Sequence, residues 1–329
     1  MSSTNIYRLK NLGLPALQKI EDLASATRLS PGKITYLTYR TDFLYRTYEV
    51  SKKSGGKRVI AQPNRELKAV QAWILRSILD KLSTSSHSKG FDLGTSILEN
   101  ALPHQGANYV LTLDLEDFFP SITANKVFGV FSSIGYSKKI SAALTNLCVF
   151  NGVLPQGAPT SPKLANLVCA NLDARIHGYA GPKGIVYTRY ADDITLSAQS
   201  AQKIQKAKDF IGTIISDENL KINRAKTKLC GTKRQKRITG LIVSQNNVGI
   251  GREKLREIRA KIHHLFTDRS SDYSHVNGFL AFTYGVDKKS YTKLYRFIET
   301  MKEKYPTSVA ADKLHNKSSK SGVEKRAAS

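Results

Sequence analysis

Cysteine is scarce in this chain of 329 residues. The three present, Cys148, Cys169 and Cys230, lie far apart and form no C-x-x-C pair. That argues against a disulfide framework and a zinc site, and it fits a reducing cytoplasm. Long apolar runs are missing too. No stretch of eighteen apolar residues occurs, so no segment is expected to span a membrane. The N-terminus, MSSTNIYRLKNLGL, lacks the apolar segment of a secretory signal. Acid is the third shortage. Asp and Glu number 26 against 51 Lys and Arg, a formal net charge of +25. A basic protein with solvated lysines would satisfy that count. The excess, however, runs through segments expected to fold and is not confined to a tail, which favours a polyanionic partner, nucleic acid above all.

What is present is enough to build a core, since 40% of residues are hydrophobic. No internal repeat is evident. Residues 14–44 read as helical, with Ser30-Pro31 as a cap and first turn. Residues 45–62 read as a basic hairpin turning at SKKSGGK. A helix is expected over 63–82, with Leu67, Val70, Ile74, Ile78 and Leu82 on one stripe. The Ser/Gly-rich 83–96 reads as loop. ANYVLTLDLEDFFPS (107–121) is a strand with a Pro-marked stop, followed by helices near 123–134 and 138–148. A Gly/Pro loop then feeds a long helix over 153–180. Next come a hairpin at 187–197, a helix near 200–216, strands around 219–230 and 236–250, and helices over 252–267 and 274–305. The polar stretch from about Val309 reads as disordered. The order suits an α+β fold, a central antiparallel sheet with helices on one face.

The chemistry lies in the few acids. YTRYADDITLS (187–197) sets Asp192 and Asp193 side by side at a hairpin bend. Asp-Asp at a turn is common for structural reasons alone, because Asp accepts turn geometry and bonds its own backbone. Asp114, however, closes the apolar run Tyr109–Leu113, and a lone carboxylate at a buried strand end is costly unless paired or metal-bound. If the two strands are neighbours, three carboxylates converge. Oxygen-rich sites of that kind suit Mg²⁺. Two such ions about 4 Å apart serve phosphoryl transfer in polymerases and nucleases.

YADD (190–193) resembles the catalytic box of reverse transcriptases, and LTLDLEDFFPS the motif of their first metal-binding aspartate. LPQGAPTSP (154–162) is similar to their nucleotide-pocket loop, and KRVIAQPNRELKAVQ (57–71) to their fingers segment. NRAKTKL (223–229) and KRITGLIVS (236–244) resemble their later palm and primer-grip motifs. NALPH (100–104) and Ile238-Thr239-Gly240 resemble elements of the bacterial retron branch, the latter with Ile for the usual Val. The resemblance implies a right-hand polymerase fold: an N-terminal helical region (1–44), fingers (45–106), an antiparallel-sheet palm (107–250, with a fingers insertion at about 123–180), a helical thumb (251–308) and a basic tail (309–329). No room for a ribonuclease H domain is expected after the helical end.

It also implies roles. Asp114, Asp192 and Asp193 would be catalytic and, with the Leu115 carbonyl, would hold two Mg²⁺ ions. Phe119 matches the position that blocks a 2′-hydroxyl, although either Phe118 or Phe119 could instead be core. Lys57 or Arg58 would grip the triphosphate, Asp117, Gln156 and Gly157 would flank the dNTP, and Lys226 could give a proton to the leaving pyrophosphate. Asn100, His104, Thr239, Gly240, Arg252, Arg256, Arg259 and His263 would meet RNA or DNA. The partners implied are a cognate structured non-coding RNA serving as template and primer, its branched DNA product (msDNA) and a separate effector protein in phage defence. Other readings are a group II intron-like enzyme, a nuclease using the same acids, and a non-catalytic RNA-binding module.

Overall fold

The basic segment after residue 44 pairs with itself. Strands β1 (Tyr45–Ser51) and β2 (Lys57–Pro63) form an antiparallel ribbon in which Ser51 faces Lys57 and Tyr45 faces Pro63. The computed structural model describes residues 3–51 and 55–314, so Lys52, Lys53 and Ser54 of the expected turn lie outside the described residues, as do 315–329 of the expected tail. The helix that follows, Arg65–Ser77, starts where Asn64 accepts a hydrogen bond from the Leu67 amide. It buries Leu67, Val70 and Ile74 as its 3.6-residue spacing predicts. Ser30 caps the helix Pro31–Tyr39 in the same way.

The centre is a four-stranded antiparallel sheet in the order β4-β5-β3-β6, made of β3 (Tyr109–Asp114), β4 (Val186–Tyr190), β5 (Asp193–Ala198) and β6 (Lys228–Cys230). Strand β5 is buried at every position after Asp193. Ile194 and Leu196 enter a large apolar cluster shared with the helices Ala124–Ser133, Lys138–Cys148, Ala170–Ala180 and Ala201–Asp217. Ser197, one residue out of phase, meets the buried His104 instead. The long helix expected over 153–180 is two, Ser161–Val168 and Ala170–Ala180, parted at Cys169. Residues 219–230 give only the short β6 and an isolated bridge from Leu115 to Ile222.

The chain divides into two compact units between Arg234 and Gln235. The second begins with a three-stranded meander, β7 (Lys236–Ile238), β8 (Leu241–Val243) and β9 (Val248–Gly249). The division therefore falls ahead of the meander, not at the expected palm end of 250. Helices Gly251–Phe266, Tyr273–Val286 and Lys288–Lys304 follow, with an apolar core that includes Ile258, Ile262, Leu280, Leu294 and Ile298. The helix expected over 274–305 is interrupted at Asp287, whose side chain accepts from the Ser290 amide and from the Ile250 amide. Disorder from Val309 is not what is found. Val309–Lys313 is helical, and Ala310 and Leu314 are buried in this core.

Candidate active site

Two neighbouring strands bring the acids together. Asp114, the last residue of β3, is the register partner of Asp193, the first of β5. The Leu115 amide donates to the Asp192 carbonyl at 3.0 Å, and the Asn223 amide to the Asp114 carbonyl at 2.8 Å. Lys226 brings its ammonium within 3.0 Å of both Asp114 carboxylate oxygens. Burial and the neighbouring charge of Asp114 hold the Asp192 carboxyl above its ordinary range, against the opposing pull of Lys226 and Arg58. Asp193 is pushed up to about 6 by burial first, then by the charges of Asp192 and Asp114. Proton affinity raised in this way reflects carboxylates taken out of water first, and set close to one another second.

The turn carrying Asp192 is held from below. Ala191 has φ +58°, a left-handed conformation at the first central position of a two-residue hairpin loop, where glycine is the usual occupant. The Arg189 guanidinium donates to the Ala191 carbonyl at 3.1 Å and to Asn166 Oδ1 at 3.2 Å. Its other donors make a bidentate pair with Asp173, both bonds 2.7 Å, and Tyr187 adds a third bond to that carboxylate at 2.6 Å. Arg189 and Asp173 are both fully buried. Sequence reasoning missed this pair. A charged residue in a strand of buried neighbours was the available signal, since it cannot be buried alone.

The other expected residues divide into those near the acids and those elsewhere. Arg58 lies close enough for its charge to act on Asp192, whereas Lys57 is ion-paired across the ribbon with Glu49 at 2.6 Å. Gln156 joins the loop to the ribbon, its carbonyl accepting from the Ala61 amide at 2.9 Å. Gly157 follows at φ +136°, where an added Cβ would stand 2.7 Å from the Ala61 carbonyl oxygen. Asp117 is exposed with φ +42°. Phe118 is buried, while Phe119 is half-buried with its ring 5.5 Å from that of Phe118. Asn100 and His104 are corrected. Both are fully buried, so neither presents its side chain to RNA. His104 bridges Ser197 Oγ (2.7 Å) and Thr188 Oγ1 (2.8 Å), and the Asn100 carbonyl accepts from Thr188. They fasten the segment before β3 to the sheet. In the second unit, Thr239 and Gly240, both at positive φ, form the tip of the β7–β8 hairpin. Arg252, Arg256 and Arg259 are exposed on one helix, Arg259 lying 4.4 Å over the Phe297 ring, and His263 is half-buried.

The three carboxylates, of which Asp192 and Asp193 have raised proton affinity, are hard oxygen donors of the kind Mg²⁺ takes. Among the described residues no three His, Cys, Asp or Glu side chains already close into an ion-holding cluster. Lys226 instead supplies Asp114 with its positive charge. The donor set therefore fits divalent cations, with Lys226 as the group that must yield.

Comparison with known proteins gives the family. Residues 50–243 match the family model described as reverse transcriptase (RNA-dependent DNA polymerase). The retron Ec86 reverse transcriptase of Escherichia coli is 56% identical over 303 residues, covering 92% of this chain and 95% of the relative. The retron Mx65 reverse transcriptase of Myxococcus xanthus is 35% identical over 301 residues, covering 84% and 70%. A solved structure of apo telomerase from Candida tropicalis aligns at TM-score 0.47 and 12% identity, over 67% of this chain and 60% of that one, too distant to add to the assignment. With its acids on adjacent strands of an antiparallel sheet and its sequence aligned almost end to end with a retron enzyme, the chain belongs to the retron reverse transcriptases, RNA-directed DNA polymerases of the right-hand polymerase fold.

Proposed function

We propose that the chain copies part of a cognate structured RNA into single-stranded DNA that stays linked to that RNA, starting from an RNA 2′-hydroxyl. The convergence of Asp114, Asp192 and Asp193 beside Lys226, in a chain 56% identical to a retron enzyme, carries this reading. Two Mg²⁺ ions held by the three carboxylates and the Leu115 carbonyl would offset charge on the reacting oxygens and phosphate. Arg58 would bind the triphosphate, with its fixed charge and planar donors suited to phosphate oxygens. Lys57, tied to Glu49, would play a lesser part. Lys226, released from Asp114, would give a proton to the leaving pyrophosphate. Gln156 and Gly157 would lie against the incoming nucleotide, with Asp117 at its edge, and Phe119 would stand where a ribose 2′-hydroxyl would otherwise sit.

The Arg252, Arg256 and Arg259 row, with His263 beside it, would follow a duplex backbone, and the Thr239-Gly240 tip would meet the primer strand. The RNA-linked product and a separate effector protein would form the phage-defence assembly implied by the retron resemblance. Expression of the chain with its upstream DNA tests the priming mode. Nucleic acid from the purified protein should contain one short DNA whose mobility on a denaturing gel changes after ribonuclease and after debranching enzyme. DNA indifferent to debranching would rule out 2′ priming.

A further inference from the structure

Phe91 is an outlier twice over. Its side chain is 44% exposed, and its backbone has φ +68°, a conformation bulky residues rarely adopt. Folding gains from neither feature, and such outliers persist only where their surroundings fix them. The surroundings here are unusually well tied. The Gly90 carbonyl accepts from Asn166 Nδ2 at 2.7 Å. The Asp92 carboxylate accepts from the same Asn166 nitrogen at 3.0 Å and from Thr84 at 2.7 Å, and it pairs with Lys163. The Lys89 amide donates to the Arg189 carbonyl, and the Arg189 amide to the His87 carbonyl. Gly90 lies flat on the catalytic turn. A Cβ there would stand 3.2 Å from the Ala191 nitrogen and 3.4 Å from the Tyr190 ring. Residues 87–92 are thus fixed to the turn carrying Asp192, and within them only Phe91 is exposed.

The Phe91 ring stands 6.2 Å from the Phe119 ring and 6.4 Å from the Tyr190 ring, tilted 44° and 41°. Both distances fall in the range of paired aromatics. Phe119 is five residues beyond Asp114, and Tyr190 two before Asp192. Phe91 therefore links a ring on the segment after Asp114 to a ring on the strand that leads into Asp192.

We propose that Phe91 is a positioning residue for sugar selection. It backs Phe119 and limits how far that ring can turn away from the 2′ position of the incoming nucleotide. This rests on the reading of Phe119 given above. An apolar wall rejects an added hydroxyl only about a hundredfold when it can adjust, so rigidity behind the wall raises discrimination.

The test is single-nucleotide incorporation by the full chain with its RNA, read as the ratio of kcat/KM for a dNTP to that for the matching rNTP. Phe119→Ala should collapse the ratio. Phe91→Ala should lower it about tenfold, with the rNTP value rising. Phe91→Leu should recover part of the loss. The double variant should be no worse than Phe119→Ala, because Phe91 acts through Phe119. An unchanged melting temperature for Phe91→Ala would separate this from general loosening. If Phe119→Ala shifts the ratio and Phe91→Ala does not, the backing role is wrong and the Phe119 reading survives. If Phe119→Ala leaves the ratio unchanged, both fail.

Discussion

Among the described residues, Arg189 and Asp173 are the ion pair with the clearest energetic consequence. Both are fully buried, and each neutralises the other. Asp173→Asn would leave the guanidinium charged with no anion beside it, a loss of about 3–5 kcal/mol that chemical denaturation of the variant would register. His104 supplies a pH signature. Burial holds its imidazole down to about 4, against an unfolded value near 6.5. Between those values the unfolded chain binds more protons than the folded one, so His104 favours unfolding progressively as pH falls from about 6.5 to 4. The full effect is roughly 3 kcal/mol. Melting temperatures at pH 7 and pH 5 should therefore differ less in His104→Asn than in the unaltered chain. The sequence revealed Asp114 because an acid at the end of an apolar run is conspicuous. It hid the Arg189 pair because nothing in spacing ties a strand residue to a helix residue sixteen positions earlier. His104 was noticed but misassigned, since a motif names a residue without saying whether it is inside or outside.

At the level of elements, the loop around Gly157 leans on strand β2. The Ala61 carbonyl stands 2.7 Å from where a Cβ would be, and backbone cannot yield as a flexible side chain can. Gly157→Ala should destabilise by roughly 1–3 kcal/mol, as overpacking does. It should also raise KM for dNTP more than it lowers kcat, a split that steady-state kinetics would resolve. The basic hairpin, the helix after Asn64 and the Asp114 and YADD strands were legible from period and turn residues. The break at Asp287 was not. The apolar ladder runs on through Tyr291 and Leu294, and the cap is completed by a backbone amide 37 residues away. The division of the chain ahead of the β7–β9 meander was equally silent, because short strands carry the same alternation in either unit.

For the whole molecule, the net charge of +25 is the property a polyanionic RNA would meet first. The logarithm of RNA affinity should fall linearly with log salt, and replacing Arg252, Arg256 and Arg259 together by Gln should shallow that slope by about 2–3. Filter binding across a salt series would measure it, and an unchanged slope would remove the row from the RNA path. The account as a whole turns on the acids at the strand ends. The most direct test is dNTP incorporation on the bound RNA by purified Asp192→Asn, with RNA affinity measured in the same preparation. Incorporation should vanish while affinity is retained. Incorporation at the unaltered rate would contradict the assignment of this site.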